Sequence, residues 1–361
     1  MSKNRALHDA GQSLWIDSIT RELVTQGTLK SYIDELSVTG LTSNPTIFDK
    51  ALQGGNDYDE QISSLLEAGK SGEDLFFELA LQDLRGAADL FAPVHMRTAG
   101  VDGWVSLEVS PRIAYDTTST IEAASTLFEA ADRSNLFIKI PGTPEGLESI
   151  EESIAAGISV NVTLLFSTEQ YLAQAEAYMR GIERRVEAGL DPNVGSVASL
   201  FVSRWDVAVA DEVPDTLKDR LGVAVATDAY VAYRELHETD RWQRLVNEGA
   251  RRQRLLFAST GTKDPALPKT KYVEELAAPA TVNTMPEETL LAFSEDGQVG
   301  GLLRRDGGDV STVLKEFDEA GVDVGALGLQ LQKEGAKKFD VSWTDLLSCI
   351  SSKSEAVAAA G

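Results

Sequence analysis

The sequence predicts an α/β chain folded as a (β/α)8 TIM barrel, a single domain over residues 1–361 with helical insertions and a C-terminal helical extension. Three observations carry that reading. Eight short apolar segments recur along the 361 residues, helix-like text separates them, and polar side chains gather at their C-terminal ends. A doubly wound open sheet is the competing architecture, but no glycine-rich phosphate loop follows the first segment. No Pro/Gly/Ser-rich linker, internal repeat or low-complexity tract divides the chain.

The candidate strands are LWID (14–17), VTGLTSN (38–44), WVSLEVS (104–110), LFIKI (136–140), ISVNVTLL (158–165), GSVASLFVS (195–203), RLLFAS (254–259) and ATVNTM (280–285). Each is short, apolar and rich in β-branched or aromatic residues, as strands buried on both faces are. Helix signals lie between them. TPEGLESIEESIAAG has Thr143 as N-cap, Pro144 at the first helical position and Gly157 after the last turn. Ser167 and Gln170 open the next helix as a capping box. Two connections are long, at about 50–100 and 205–253, and read as helical insertions. The extension covers about 310–361, and LLSCISSKSEAVAAAG reads as a terminal helix with a frayed end.

Composition narrows the function. Hydrophobic residues make up 43% and charged residues 25%, as in ordinary globular proteins. With 33 basic against 57 acidic residues the net charge is -24, which repels nucleic acid and anionic membranes, so neither is an expected partner. No apolar run approaches the ~20 residues of a membrane span, and MSKNRALHDAGQ lacks the apolar core of a signal peptide. A cytoplasmic location is the expectation, in keeping with the single Cys349. The only histidines are His8, His95 and His237, without metal-ligand spacing, so a zinc site built on imidazoles is not expected; no cofactor is expected either.

Residues two apart on a strand share a face. That rule aligns Trp15 with Asp17, Thr42 with Asn44, Ser106 with Glu108, Phe137 with Lys139, Asn161 with Thr163, and Ser199 with Phe201. In a barrel the C-terminal strand ends converge on one mouth. The expected mouth therefore holds Asp17, Thr42, Asn44, Glu108, Lys139, Asn161, Thr163, Ser199 and Ser259. Singly, each has a structural reading: a strand-end lysine reaching water, a helix N-cap, a turn asparagine before Pro45. Together they suit an amine nucleophile with acid–base help and a polyhydroxylated substrate.

In this order, GLTSNPTIF (40–48), SLEVSP (106–111), LFIKIPGTPEG (136–146), VNVTLLFS (160–167) and ASLFVSRWD (198–206) resemble the transaldolase family, of its longer type, over roughly residues 10–300. The resemblance implies a metal-free Schiff-base mechanism in the pentose phosphate pathway. Dihydroxyacetone units would pass between sedoheptulose 7-phosphate and glyceraldehyde 3-phosphate. It further implies that Lys139 attacks carbon 2 of a ketose phosphate and that Asp17 takes the hydroxyl proton at carbon 4. Glu108 and Thr163 would hold a water for imine formation. Asn44 and Asn161 would bind the dihydroxyacetone unit, with Thr42 and Ser199 nearby and Phe201 lining the pocket.

One motif departs from the resemblance. Many transaldolases follow the serine that ends strand seven with a phosphate-binding arginine; here LLFASTGTKDP keeps Ser259 but has Gly261 near that place. Lys263 is the nearest substitute, alongside Arg204. The anion is therefore open, with a sulfo-sugar transaldolase or a fructose-6-phosphate aldolase-like enzyme as alternatives and a noncatalytic sugar-phosphate-binding barrel as a remote one. Oligomeric state also stays open, a homodimer included.

Overall fold

The computed structural model describes residues 2–360. Its strands are β1 (Gln12–Asp17), β2 (Val38–Thr42), β3 (Trp104–Glu108), β4 (Leu136–Pro141), β5 (Val160–Leu165), β6 (Ser196–Phe201), β7 (Arg254–Ala258) and β8 (Thr281–Met285). They pair in parallel, in sequence order, and β8 pairs back onto β1 to close the barrel. All eight expected segments are strands, so the (β/α)8 barrel stands. The second ends earlier than its text suggested, because Asn44 leaves the strand to cap the helix Pro45–Gln53.

Alternation sorts each strand between two cores. On β4, Leu136, Ile138 and Ile140 point outward into the layer between sheet and helices, while Phe137 points into the barrel with Trp15, Trp104, Val197, Leu256 and Val282. Trp104 stacks on Phe137 at 4.0 Å, and Phe137 on Trp15 at 6.1 Å. These rings fill the barrel below the mouth, which is why it is a packed core rather than a pore. Gly40 on β2 makes room for them: a Cβ there would lie 2.5 Å from the Trp15 indole.

Each long connection contains a barrel helix as well as extra pieces. Gly72–Arg97 packs on β2 and β3, and Leu221–Leu236 packs on β6 and β7. The added helices Pro45–Gln53 and Asp59–Glu67 pack against the terminal helix instead. The capping box at Ser167 and Gln170 forms as expected. The helix after β4 starts at Gly146, later than Thr143 implied. The Thr143 hydroxyl still accepts from the Gly146 N–H (3.1 Å), but it also donates to the Ala114 carbonyl (2.7 Å), which holds Thr143–Glu145 as a turn ahead of the helix. Gly157 closes that helix at φ 91°.

The terminal helix corrects the expected frayed end. It runs unbroken from Val324 to Ala360. Packing holds it: Trp343, Leu346 and Ile350 are buried, Trp343 sits edge-on to Phe76 at 4.9 Å, and its indole N–H donates to Glu73 at 2.6 Å. Lys353 reaches back to Asp59 (3.0 Å) and the Leu52 carbonyl (3.2 Å). Upstream, Gln332 donates to the carbonyls of Gly142 and Leu164 beside the barrel mouth. No helix among the described residues is long and apolar enough to cross a membrane.

Candidate active site

The C-terminal strand ends enclose a cavity of about 300 Å³. Asp17, Thr42, Asn44, Lys139, Thr163, Ser199, Phe201, Arg204, Ser259 and Lys263 all line it. Ten of the twelve residues singled out from the sequence thus meet at one place. Glu108 and Asn161 sit one step beneath, packed under the lining.

Lys139 reaches the cavity from between these two. Strand register sets Glu108 of β3 and Asn161 of β5 level with it on either side. Lys139 Nζ lies 3.2 Å from Glu108 Oε2 and donates to the Ser43 carbonyl at 3.0 Å, with both side chains of the pair buried. Burial pushes the Glu108 carboxyl above its ordinary range, against the pull of Lys139. Asn161 is fully buried and its amide is engaged: it donates to Ser106 Oγ (3.1 Å) and accepts from Ser199 Oγ (2.7 Å). The asparagine expected at the surface of the mouth therefore orients Ser199 from below.

Asp17 ends β1 at the rim, partly open to the cavity and otherwise surrounded by protein. That desolvation raises its carboxyl, opposed by Lys139, by a hydrogen bond from Thr42 and by Lys263. Thr42 is level with it on β2 and donates to Oδ1 at 2.7 Å, while Thr284 of β8 lies 2.7 Å from the same Thr42 hydroxyl. The three form a polar band across the seam where the barrel closes.

Two strand ends depart from regular geometry at the cavity. Leu164 has φ 60° and the β5–β6 register shifts there, a bulge that seats its side chain beside Phe166 under Gly335 of the terminal helix. Thr163, just before it, is fully buried with a hydroxyl that meets no partner among the described residues. Ser259 leaves β7 at φ 56°, its hydroxyl 2.9 Å from that of Ser203. Non-glycine residues with positive φ are uncommon and cluster at functional sites.

Charge in the cavity opposes that of the molecule. Lys50, Lys139, Arg204 and Lys263 line it against the single carboxylate of Asp17. Arg204 lies across Phe201 (5.2 Å) and Phe339 (5.8 Å), and its Nη1 is buried without an acceptor among the described residues. Asn44 spends its Oδ1 on the Ile47 N–H (3.2 Å), capping the helix that carries Lys50.

The family model described as Transaldolase/Fructose-6-phosphate aldolase matches residues 14–350. The chain belongs to this family. Among its relatives, the transaldolase of Kocuria rhizophila is 46% identical over 353 residues, covering 95% of this chain and 96% of that one. The transaldolase of an Arthrobacter species is 45% identical over 350 residues, covering 94% of each chain. That of Mycobacterium marinum is 43% identical over 363 residues, covering 98% of this chain and 97% of its own.

Within this family member, sequence reasoning missed Lys50, Thr284 and Phe339, all of which line the cavity. Thr284 was within reach, because it alternates with Val282 onto the inward face of β8. Lys50 and Phe339 were not, since helices rather than strands bring them to the mouth.

Proposed function

We propose that this protein is a Schiff-base transaldolase, moving a dihydroxyacetone unit between sedoheptulose 7-phosphate and glyceraldehyde 3-phosphate, with erythrose 4-phosphate and fructose 6-phosphate as partners. The observation that carries it is the single buried lysine at the centre of a hydroxyl-rich cavity, bonded to a carboxyl that burial raises above its ordinary range. Full-length identity to transaldolases supports the transferase over the aldolase that shares the family description.

The neutral Lys139 amine attacks carbon 2 of the ketose, forming a carbinolamine. Loss of water then gives an iminium. Glu108, with Thr163, holds the water that relays protons in this step, and a carboxyl raised by burial is better suited to return a proton than an ordinary one. Asp17 next accepts the proton of the carbon 4 hydroxyl. The bond between carbons 3 and 4 breaks, its electron pair moves into the iminium to give an enamine, and the aldehyde leaves. The enamine attacks the incoming aldehyde, Asp17 returns the proton to the new hydroxyl, and water releases the product from Lys139.

Asn44, Thr42 and Ser199 are placed to bind the retained hydroxyls without adding charge beside the iminium. Phe201 walls the pocket, Asn161 holds Ser199, and Ser259 shapes the turn that leads to Lys263. Arg204, Lys263 and Lys50 bind the phosphate, together standing in for the arginine absent after Ser259. We place the reaction in the cytoplasm.

Borohydride trapping with fructose 6-phosphate, followed by peptide mass mapping, tests the reading. A dihydroxyacetone-derived adduct on the peptide carrying Lys139 is the expected result. Full activity without such an adduct would exclude the mechanism.

A further inference from the structure

A second cavity, of about 460 Å³, opens at the opposite end of the barrel among the strand starts. Residues there ordinarily serve stability, yet this space is larger than the mouth cavity and differs from it in chemistry. Trp104, Phe137, Val197 and Ala280 give it apolar walls. Its charged lining is Asp102 with Arg251, Arg252 and Arg254, and His8 also borders it.

The acid is already occupied. Arg254 donates to Asp102 Oδ1 at 2.9 Å, and the Ser13 hydroxyl bridges the two, accepting from Arg254 at 2.6 Å and donating to Asp102 at 2.9 Å. Arg251 and Arg252 pair with no carboxylate among the described residues, leaving two unneutralised cations on a chain of net charge -24. Asp191 is the acid whose field reaches Arg251. The Arg251 guanidinium is nevertheless held in place, donating to Asn193 Oδ1 and the Ala99 carbonyl, both at 2.8 Å. Its Nη1 packs against Gly100 and has no acceptor among the described residues. Arg252 is exposed, with its guanidinium 6.0 Å from the Tyr233 ring.

We propose that this cavity binds a small organic anion: an apolar ring seated on Trp104 and Phe137, carrying a carboxylate, phosphate or sulfonate group held by Arg251 and Arg252. Apolar walls reward removal of a ring from water. The same walls penalise sugar hydroxyls, which would give up hydration without hydrogen-bond partners in return. The two ends of the barrel thus select opposite bodies on anions of the same sign. Phe137 separates the cavities, two residues before Lys139 on one inward face of β4, so the lower ligand and a substrate bind without touching.

The test uses the full chain and the fluorescent probe 8-anilinonaphthalene-1-sulfonate. One site per chain is expected, with an affinity unchanged by saturating fructose 6-phosphate or by equimolar sulfate. Arg251→Ala and Arg252→Glu should each weaken binding roughly tenfold or more, the loss of one charge-assisted contact. Lys315→Glu, at an exposed side chain on the helix Val310–Glu319, should not. Arg252 is exposed, so its variant keeps the test decisive even where Arg251→Ala fails to fold. Absence of binding, displacement by fructose 6-phosphate or by equal sulfate, or wild-type affinity in Arg252→Glu would each overturn the proposal.

Discussion

Lys139 Nζ lies 3.2 Å from Glu108 Oε2, with both residues buried and level on neighbouring strands β3 and β4. Breaking such a pair from one side leaves the other member enclosed without its partner, a loss of about 3–5 kcal/mol. Glu108→Ala should therefore lower thermal stability as well as slow imine formation. Glu108→Gln keeps a hydrogen-bond acceptor for Lys139, so it should retain most of the stability and still trap slowly with borohydride. Trapping at the wild-type rate in both variants would remove Glu108 from the imine step.

Asp17 acts later, so its loss should separate two steps. Asp17→Asn should still form a borohydride-trappable imine while carbon–carbon cleavage falls by several orders of magnitude. Rapid-quench measurement of both steps in one variant checks this.

The raised Asp17 carboxyl also makes a stability prediction. The folded state binds this proton more tightly than the unfolded chain, whose value is near 3.8. Stability contributed by the protonated group is present below pH 3.8 and lost as pH climbs through the higher folded value. Asp17→Asn cannot lose that proton. Denaturant titrations should thus show the variant gaining on wild type as pH rises from about 4, with the two converging at lower pH.

The cations of the mouth divide by substrate. Arg204→Ala, Lys263→Ala and Lys50→Ala should each weaken use of phosphorylated sugars by roughly ten- to hundredfold, the worth of a charge-assisted hydrogen bond. Unphosphorylated dihydroxyacetone donors should be far less affected. Steady-state kinetics on both substrate types decides; equal losses would mean that these side chains shape the pocket instead of binding the anion.

Gln332 ties the terminal helix to the carbonyls of Gly142 and Leu164. Gln332→Leu would leave two buried carbonyls without donors, at about 1–3 kcal/mol each. It should lower the melting temperature and also reduce kcat, because the Leu164 bulge sets the position of Thr163. A fall in stability with unchanged kcat would confine Gln332 to a structural role.

Much of this protein is legible in one dimension. Strands buried on both faces must be apolar throughout, so LFIKI and RLLFAS stand out from the helical text around them. Alternation with a period of two then carries Asp17, Thr42, Lys139, Thr163 and Ser199 to the same end, because every barrel strand runs in one direction. What lay beyond the sequence required contacts that no local period encodes. Alternation alone does not reveal the bulge that seats Leu164 under the terminal helix, where its carbonyl is fastened by Gln332, 168 residues away. Lys50 and Phe339 reach the mouth only because the helix Pro45–Gln53 and the terminal helix pack on each other across the chain. Register likewise set Glu108 and Asn161 level with Lys139 on its two sides, where packing leaves them outside the cavity lining. The sequence by itself determined which strands exist and which side chains share their inward face, since pleat and burial act residue by residue. Depth, partner and helical cover were decided by the tertiary structure, because each depends on where distant segments come to rest.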